Sequence, residues 1–311
     1  MAATPVKLVL VLSENWTLTS PRDLRALVRI AVEAEDAGID AIMLSEHIVL
    51  GASAGEGGLM ANPRKYALPG NQDPRTPWPS SIVLLSGIAA ATTRLRLVAG
   101  AVIPPLRHPL VLARELGSLD LLSEGRLVVL PTVSWHREEY AALGVDFGAR
   151  GDLLDEHLAA YETLWRDTPA TFEGAHYGFS DVYLEPKAYR PEGPVLWFGG
   201  SSVHPRLLRR LVRYGQGFNP LGSPTAEELR LLRMAMVEAG RSPDELEMVG
   251  GIRGDFPDAT SVASLAQALE SVPDQIARGY SSICFKPSQY TDELAGVAPL
   301  CREIVRRVAA L

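Results

Sequence analysis

The stretch from residue 94 to residue 139 constrains the fold most, because it predicts one complete β-α-β unit. Residues 95–102 are apolar apart from Arg96, and two prolines at positions 104 and 105 end that run. Pro109 then opens a helical segment, since its leucines recur at positions 112, 116, 119 and 122. Residues 127–130 are apolar again. Such strands are typical of a parallel sheet that is covered on both faces.

Similar units recur along the chain, and no change of composition divides it. The predicted strands are residues 6–12, 40–44, 95–102, 127–130, 195–198, a short one at 217–220, 246–252 and 281–285. The predicted helices are one between Ser20 and Gly38 and residues 80–91, 109–122, 150–165, 205–214, 225–239, 261–277 with an interruption near Pro273, and 292–310. This alternation predicts an α/β fold, a (β/α)8 TIM barrel formed by a single domain of residues 1–311. An open doubly wound sheet is the alternative, but no strand is followed by Gly-x-Gly-x-x-Gly.

Two aperiodic segments interrupt the repeat, at residues 48–79 and 131–149. They are predicted to be insertions after strands two and four, and they lie at the end of the barrel that carries active sites. Loops of this length are usually functional, so we expect them to form a lid over the site. Residues 171–184 predict a separate β-hairpin.

Composition excludes several classes of function. Hydrophobic residues make up 47% of the 311 residues, enough for a large core, and the net charge of −7 argues against nucleic-acid binding. Two cysteines provide neither a disulfide framework nor a metal-binding pattern. The first residues lack the basic region of a secretory signal, and no apolar run approaches the roughly 20 residues of a membrane helix. We expect a cytoplasmic enzyme with a small-molecule substrate.

His47 is the strongest candidate for catalysis, because it directly follows the second strand and an imidazole exchanges protons near neutral pH. The adjacent Glu46 is expected to orient it. The alternative is a loop histidine bonded to the backbone. A metal site is not expected, since the six histidines are scattered along the chain.

Three other groups of residues follow predicted strands. Gly100, Ala101 and Val102 are small enough for a flat ring to lie against the backbone, although tight barrel packing would also require small residues. The turn Gly199-Gly200-Ser201 opens a helix that carries arginines, which is typical of a phosphate site or of an ordinary glycine turn. The tryptophans expected to line a hydrophobic substrate pocket are Trp16, Trp78 and Trp135.

Several longer motifs together carry a resemblance to a known family. They are AEDAGIDAIML before Ser45-Glu46-His47, then AAATTRLR, PLRHP, LDLLSEGRL, WHREEYAALG and LWFGGS. With these motifs the sequence resembles the bacterial luciferase-like oxidoreductases, a barrel family that uses flavin or deazaflavin. The similarity runs from about residue 6 to residue 239 and is strongest to the branch that uses coenzyme F-420.

The resemblance implies roles for particular residues. His47 would donate or accept a proton beside the ring, and Ser45 and Glu46 would flank the ring edge. A non-proline cis peptide would lie within Gly100-Ala101-Val102, behind the central ring. Backbone amides of Gly199, Gly200 and Ser201 would meet the cofactor phosphate, and Thr132 would lie in the same cleft.

The sequence departs from the family pattern at two places near that cleft. Residues 130–134 read LPTVS where the family usually has Gly-x-Gly-x-Gly, and residues 215–218 read GQGF instead of Gly-Asp-Gly-Trp. The resemblance as a whole implies hydride transfer between reduced F-420 and an organic substrate, which the three tryptophans predict to be hydrophobic. There are two alternatives: a reduced-FMN monooxygenase and a non-catalytic flavin-binding protein. Family members are often homodimers, and the same is expected here.

Overall fold

The computed structural model describes residues 5–311, and its central feature is a closed barrel of eight parallel strands. In chain order the strands are β1 (Lys7–Val11), β2 (Ala41–Leu44), β3 (Arg96–Val102), β4 (Leu127–Pro131), β5 (Ala170–Glu173), β6 (Gly178–Val182), β7 (Val195–Phe198), β8 (Gly217–Phe218), β9 (Glu247–Gly251) and β10 (Ser282–Phe285). All except β5 and β6 join the barrel, in sequence order, and β10 pairs with β1 to close it. The predicted barrel is confirmed, and β5 and β6 form the predicted hairpin outside it.

Helices cover the outside of this barrel. They are α1 (Leu24–Asp36), α2 (Ser81–Ala91), α3 (Pro109–Leu122), α4 (Arg137–Ala142), α5 (Arg150–Arg166), α6 (Pro205–Tyr214), α7 (Ala226–Glu238), α8 (Leu265–Leu269), α9 (Val272–Ala277) and α10 (Val297–Val308). Most begin at a residue whose side chain accepts a hydrogen bond from the first turn, as Asp23 does for α1 and Ser80 for α2. The prediction that the last helix starts at residue 292 is wrong, since α10 begins only after Gly296.

The core has two layers, one on each face of the barrel strands. In β1, Leu8 and Leu10 belong to the layer between the barrel and the helices, whereas Val9 and Val11 belong to the layer inside the barrel. This alternation follows from the two-residue period of a strand. The packed interior leaves the loops at the carboxyl ends of the strands as the place for a site.

The insertion after β2 is bonded to the rim of the barrel. Asn62 donates to the carbonyl oxygens of Asp258 and Ser261, and Arg64 forms an ion pair with Asp292. The Lys286 ammonium donates to the carbonyl oxygen of Lys65 over 3.1 Å. This part of the expected lid is therefore held against the loops that follow β9 and β10. None of the helices within residues 5–311 combines the length and apolar character required to cross a membrane.

Candidate active site

His47 lies just beyond β2 in a nearly closed environment, with 9% of its surface exposed. Its ring is T-shaped to two tryptophans, with centroid distances of 5.1 Å to Trp78 and 5.7 Å to Trp135. The structure thus brings His47 together with one predicted tryptophan from each of the two insertions. Trp16 does not join them in the same way, because it packs against the core layer between barrel and helices.

The carboxylate hydrogen-bonded to His47 is Glu139, and the expectation that Glu46 occupies this place is wrong. Nδ1 of His47 lies 3.2 Å from Oε2 of Glu139, which is fully buried. Glu46 turns the other way, and its oxygens accept hydrogen bonds of 2.7 and 2.9 Å from the guanidinium of Arg107. Glu46 also accepts from the amide of Ile103 and the hydroxyl of Ser81. It ties together the ends of β2 and β3 and the start of α2.

Residues at the start of α4 hold the loop that carries His47. Oε1 of Glu139 accepts a 2.5 Å hydrogen bond from the amide of Ile48, and Glu138 accepts from both the amide and the hydroxyl of Ser53. The contact with Glu138 requires a glycine at position 51, since a Cβ there would lie 1.9 Å from the Glu138 Oε2. We call this set of hydrogen bonds the loop clamp.

His136 completes the loop clamp as a neutral ring. Its Nε2 accepts a 2.6 Å hydrogen bond from the amide of Gly51, which leaves the proton on Nδ1. Burial lowers the pKa of His136, which agrees with a neutral imidazole. The Nδ1–H has no acceptor within residues 5–311.

The charge on Glu139 is stabilised by its donors. Burial alone would raise the pKa of this carboxyl, but hydrogen bonds from His47, Ile48 and Ser134 outweigh burial and lower the pKa below its ordinary value. Glu139 is therefore ionised at neutral pH and presents only acceptors to its neighbours.

The small residues at the end of β3 adopt the backbone form that the resemblance implies. The peptide between Gly100 and Ala101 is cis. Ala101 packs against the layer inside the barrel, and the carbonyl oxygen of Val102 accepts a 2.8 Å hydrogen bond from the amide of Thr132. Thr132 belongs to the segment after β4 that departs from the family motif, and this hydrogen bond joins the segment to the last residue of β3.

Two ionisable residues that sequence reasoning missed, Glu14 and Lys286, lie beyond β1 and β10. Burial raises the pKa of Glu14, while the charges of Lys286 and His47 oppose this rise. Burial lowers the pKa of the fully buried Lys286, and Glu14 acts against that change. Tyr66 joins this region from the first insertion, with its ring centroid 5.7 Å from the Lys286 ammonium. The rule that sites follow barrel strands would have selected both charged residues, but no motif singled them out.

Ser45 bonds to the end of β1. Its amide and hydroxyl both donate to the hydroxyl oxygen of Ser13, at 2.7 and 2.8 Å. Through these two hydrogen bonds, Ser45 joins the segment after β2 to the segment after β1.

The predicted phosphate turn follows β7 and precedes α6. The amides of Gly200, Ser201 and Ser202 have no acceptor among the residues described, so they are available to an anion. The next amide, of Val203, already donates to Glu228 over 2.9 Å. Gly199 is required for a different reason, because a Cβ would lie 2.0 Å from the carbonyl oxygen of Asn219.

Arg206 and Arg210 of α6 are held in ion pairs and are not free to support that turn. Arg206 pairs with Asp152 and Asp155, and Arg210 pairs with Asp155 over 2.6 Å. Both acidic partners belong to α5, so these ion pairs join two neighbouring helices. Anion binding at this turn would therefore depend mainly on backbone amides.

Comparison with known proteins assigns the family. The model of the luciferase-like monooxygenases matches residues 8–253, which include every predicted site residue. An uncharacterized protein of Mycobacterium tuberculosis is 29% identical over 238 residues, covering 74% of this chain and 76% of that protein. The FMNH2-dependent dimethylsulfone monooxygenase of Pseudomonas putida is 29% identical over 125 residues, covering 39% of this chain and 34% of the relative.

A solved structure of similar fold represents the deazaflavin enzymes. The coenzyme F420-dependent tetrahydromethanopterin reductase of Methanopyrus kandleri aligns with a TM-score of 0.72 and 14% identity, covering 98% of this chain and all of that one (100%). This likeness concerns the fold alone, but it agrees with the family match across the barrel. The chain belongs to the luciferase-like monooxygenase family.

Proposed function

We propose that this protein transfers a hydride between reduced coenzyme F-420 and a hydrophobic organic substrate, with His47 exchanging the accompanying proton. The observation that carries the proposal is the placement of His47: it is held by a buried carboxylate and flanked by two tryptophans at the carboxyl end of the barrel. An imidazole in a partly closed, apolar site is suited to general acid–base catalysis.

The residues present fit a phosphate-bearing flavin or deazaflavin. The available amides of Gly200, Ser201 and Ser202 suit its phosphate, and the small, partly buried Ala101 suits contact with a flat ring. The side chain of Val102 is fully buried in the layer between barrel and helices and is not available for such a contact. When bound, the cofactor supplies the carbon that carries the hydride. The protein supplies binding, orientation and exclusion of water.

The two tryptophans beside His47 fit a substrate that is mainly apolar. Their rings are T-shaped to the imidazole, which is little exposed to water. The indole Nε1 of Trp78 is buried and has no acceptor in residues 5–311, so it is available to donate to a substrate oxygen. Trp78 and Trp135 would thus position the substrate next to the proton-exchanging ring.

The second candidate function is a monooxygenase that uses reduced FMN. It is favoured by the relative from Pseudomonas putida, whose name specifies FMNH2, and by relatives named pyrimidine monooxygenase. Oxygen distinguishes the two functions, because a monooxygenase consumes it and hydride transfer does not. Turnover of a substrate panel under argon and under air therefore separates them.

We also propose that the protein is a homodimer through the outer faces of α2 and α3. The helix α2 carries no charged residue, yet Val83 on its outer side is 71% exposed. On α3, Val111 and Leu122 are exposed as well, and the two helices are neighbours. A helix that is apolar all round is normally buried, and a second copy of the chain provides a matching apolar face.

The acid–base role is tested with His47→Ala. We expect turnover with F-420 to fall by ~10²–10⁴-fold, because the proton would lose its positioned acceptor or donor. Cofactor affinity, measured by fluorescence, should change little. A loss of turnover smaller than tenfold would reject the role of His47.

The third alternative is a non-catalytic flavin-binding protein. Wild-type protein that binds a cofactor but converts no substrate of the panel, under argon or under air, would favour it.

A further inference from the structure

We propose that Glu139 is the positioning residue that fixes the tautomer of His47, with the proton on Nδ1 and with Nε2 left as the atom that exchanges a proton with substrate. The catalytic part of this inference rests on the proposed function of His47. The tautomer itself does not, and it can be measured on the purified protein without any substrate.

The hydrogen-bonding capacity of Glu139 decides which nitrogen carries the proton. An ionised carboxylate accepts hydrogen bonds and cannot donate them. Its Oε2 lies 3.2 Å from Nδ1 of His47, so a neutral imidazole satisfies this contact only with a proton on Nδ1. A neutral imidazole has a single N–H, and Nε2 is then the acceptor.

The surroundings of His47 provide no competing partner for this arrangement. Trp78 and Trp135 are T-shaped to the ring, and the ring of His136 lies 6.4 Å away, centroid to centroid. Glu14 interacts with His47 through its charge but makes no hydrogen bond to it. Among the residues described, only Glu139 is hydrogen-bonded to the imidazole.

The carboxylate is itself held in place from two sides. The amide of Ile48 donates to Oε1 over 2.5 Å, and the hydroxyl of Ser134 donates to Oε2 over 3.2 Å. Ser134 follows β4 and Ile48 follows β2, so Glu139 joins the two insertions at the point where His47 stands. The orientation of His47 therefore depends on the hydrogen bonds that hold Glu139 as well as on its own loop.

The replacement Glu139→Gln tests the proposal with almost no change of shape. The amide of Ile48 requires an acceptor, so the glutamine oxygen takes the place of Oε1 and the glutamine NH2 faces His47. Because an NH2 group donates, Nδ1 must become an acceptor and the proton must move to Nε2. The same logic governs the carboxylate-to-amide change in the serine protease triad, which loses activity through the wrong tautomer.

The measurement is ¹⁵N NMR of histidine-labelled protein at a pH at which imidazoles are neutral. The resonances of His47 are assigned by their absence in His47→Gln. We expect an Nδ1–H tautomer in the wild type and in Glu139→Asp, which keeps an acceptor-only group, and an Nε2–H tautomer in Glu139→Gln. The matched control is Glu138→Gln. Glu138 accepts hydrogen bonds from Ser53 and none from His47, so this variant should leave the tautomer of His47 unchanged.

Two results would overturn the proposal. One is an Nε2–H tautomer of His47 in the wild type, which needs no variant to fold. The other is an unchanged tautomer in folded Glu139→Gln. If the tautomer moves as expected, turnover should fall by ~10²–10⁴-fold, with cofactor affinity retained. A moved tautomer with full turnover would support the positioning by Glu139 and reject the acid–base role of His47 in the proposed function.

Discussion

At the scale of single residues, Gly51 shows how tightly the loop clamp is packed. A Cβ at this position would lie within 2.6 Å of three atoms of Glu138. We expect Gly51→Ala to displace Glu138, release the amides that the clamp holds and lower both the melting temperature and the turnover. Thermal unfolding checks this. Gly222→Ala is the control, because a Cβ there meets nothing within 4 Å. Equal melting temperatures for the two variants would contradict the packing described here.

The ion pair between Arg107 and Glu46 is a second test at this scale. Removal of one partner leaves a buried charge without compensation, so Arg107→Met should cost about 3–5 kcal/mol of unfolding free energy. The double variant Arg107→Met with Glu46→Met should be less destabilised, since neither charge remains. Denaturant unfolding measures both. Additive losses would show that the pair contributes little beyond its separate contacts.

The pH dependence of stability provides a third test. The pKa of Glu139 is lowered from its ordinary value of 4.5 in the folded state, so its charge stabilises the fold above that pH. This contribution to the unfolding free energy is lost as the pH falls through the pKa of Glu139 in the folded protein. The difference in unfolding free energy between wild type and Glu139→Gln should therefore shrink from neutral pH to about pH 3. A difference that stays constant over this range would be evidence against an ionised Glu139.

At the scale of elements, the strands and most helices could be predicted because their signals are local. The apolar runs of β3 and β4, the cap at Ser80 and the turn at Gly38 each lie within a few residues of the structure that they determine. The partner of His47 could not be predicted, because Glu139 lies 92 residues further along the chain. Adjacent Glu46 was the nearer choice in sequence, but only the packing of the two insertions shows that it faces Arg107.

The anchoring of the first insertion is a prediction about an element. Asn62 donates to two carbonyl oxygens in the loop after β9, so Asn62→Ala should loosen this part of the insertion. We expect faster amide hydrogen exchange in residues 61–66 and unchanged exchange in the β5–β6 hairpin. Asn71→Ala is the control, since Asn71 accepts only an exposed hydrogen bond within its own loop. Unchanged exchange in residues 61–66 would show that other contacts suffice.

At the scale of the whole molecule, the exposed face of α2 and α3 predicts a homodimer. Val83→Lys places a charge in that face and should shift the protein towards monomers in analytical ultracentrifugation. Val237→Lys is the control, because Val237 is also exposed but lies on α7, away from that face. Wild-type protein that sediments as a monomer at every concentration would contradict this prediction.

We propose that the mouth of this barrel binds a deazaflavin next to His47. The most direct measurement is a fluorescence titration of purified protein with F-420 and with FMN, each in oxidised and reduced form. We predict saturable binding of F-420, tighter than that of FMN, and retained binding in His47→Ala. Tight binding of FMN alone would contradict the choice of cofactor, and no binding of either compound would contradict the claim as a whole.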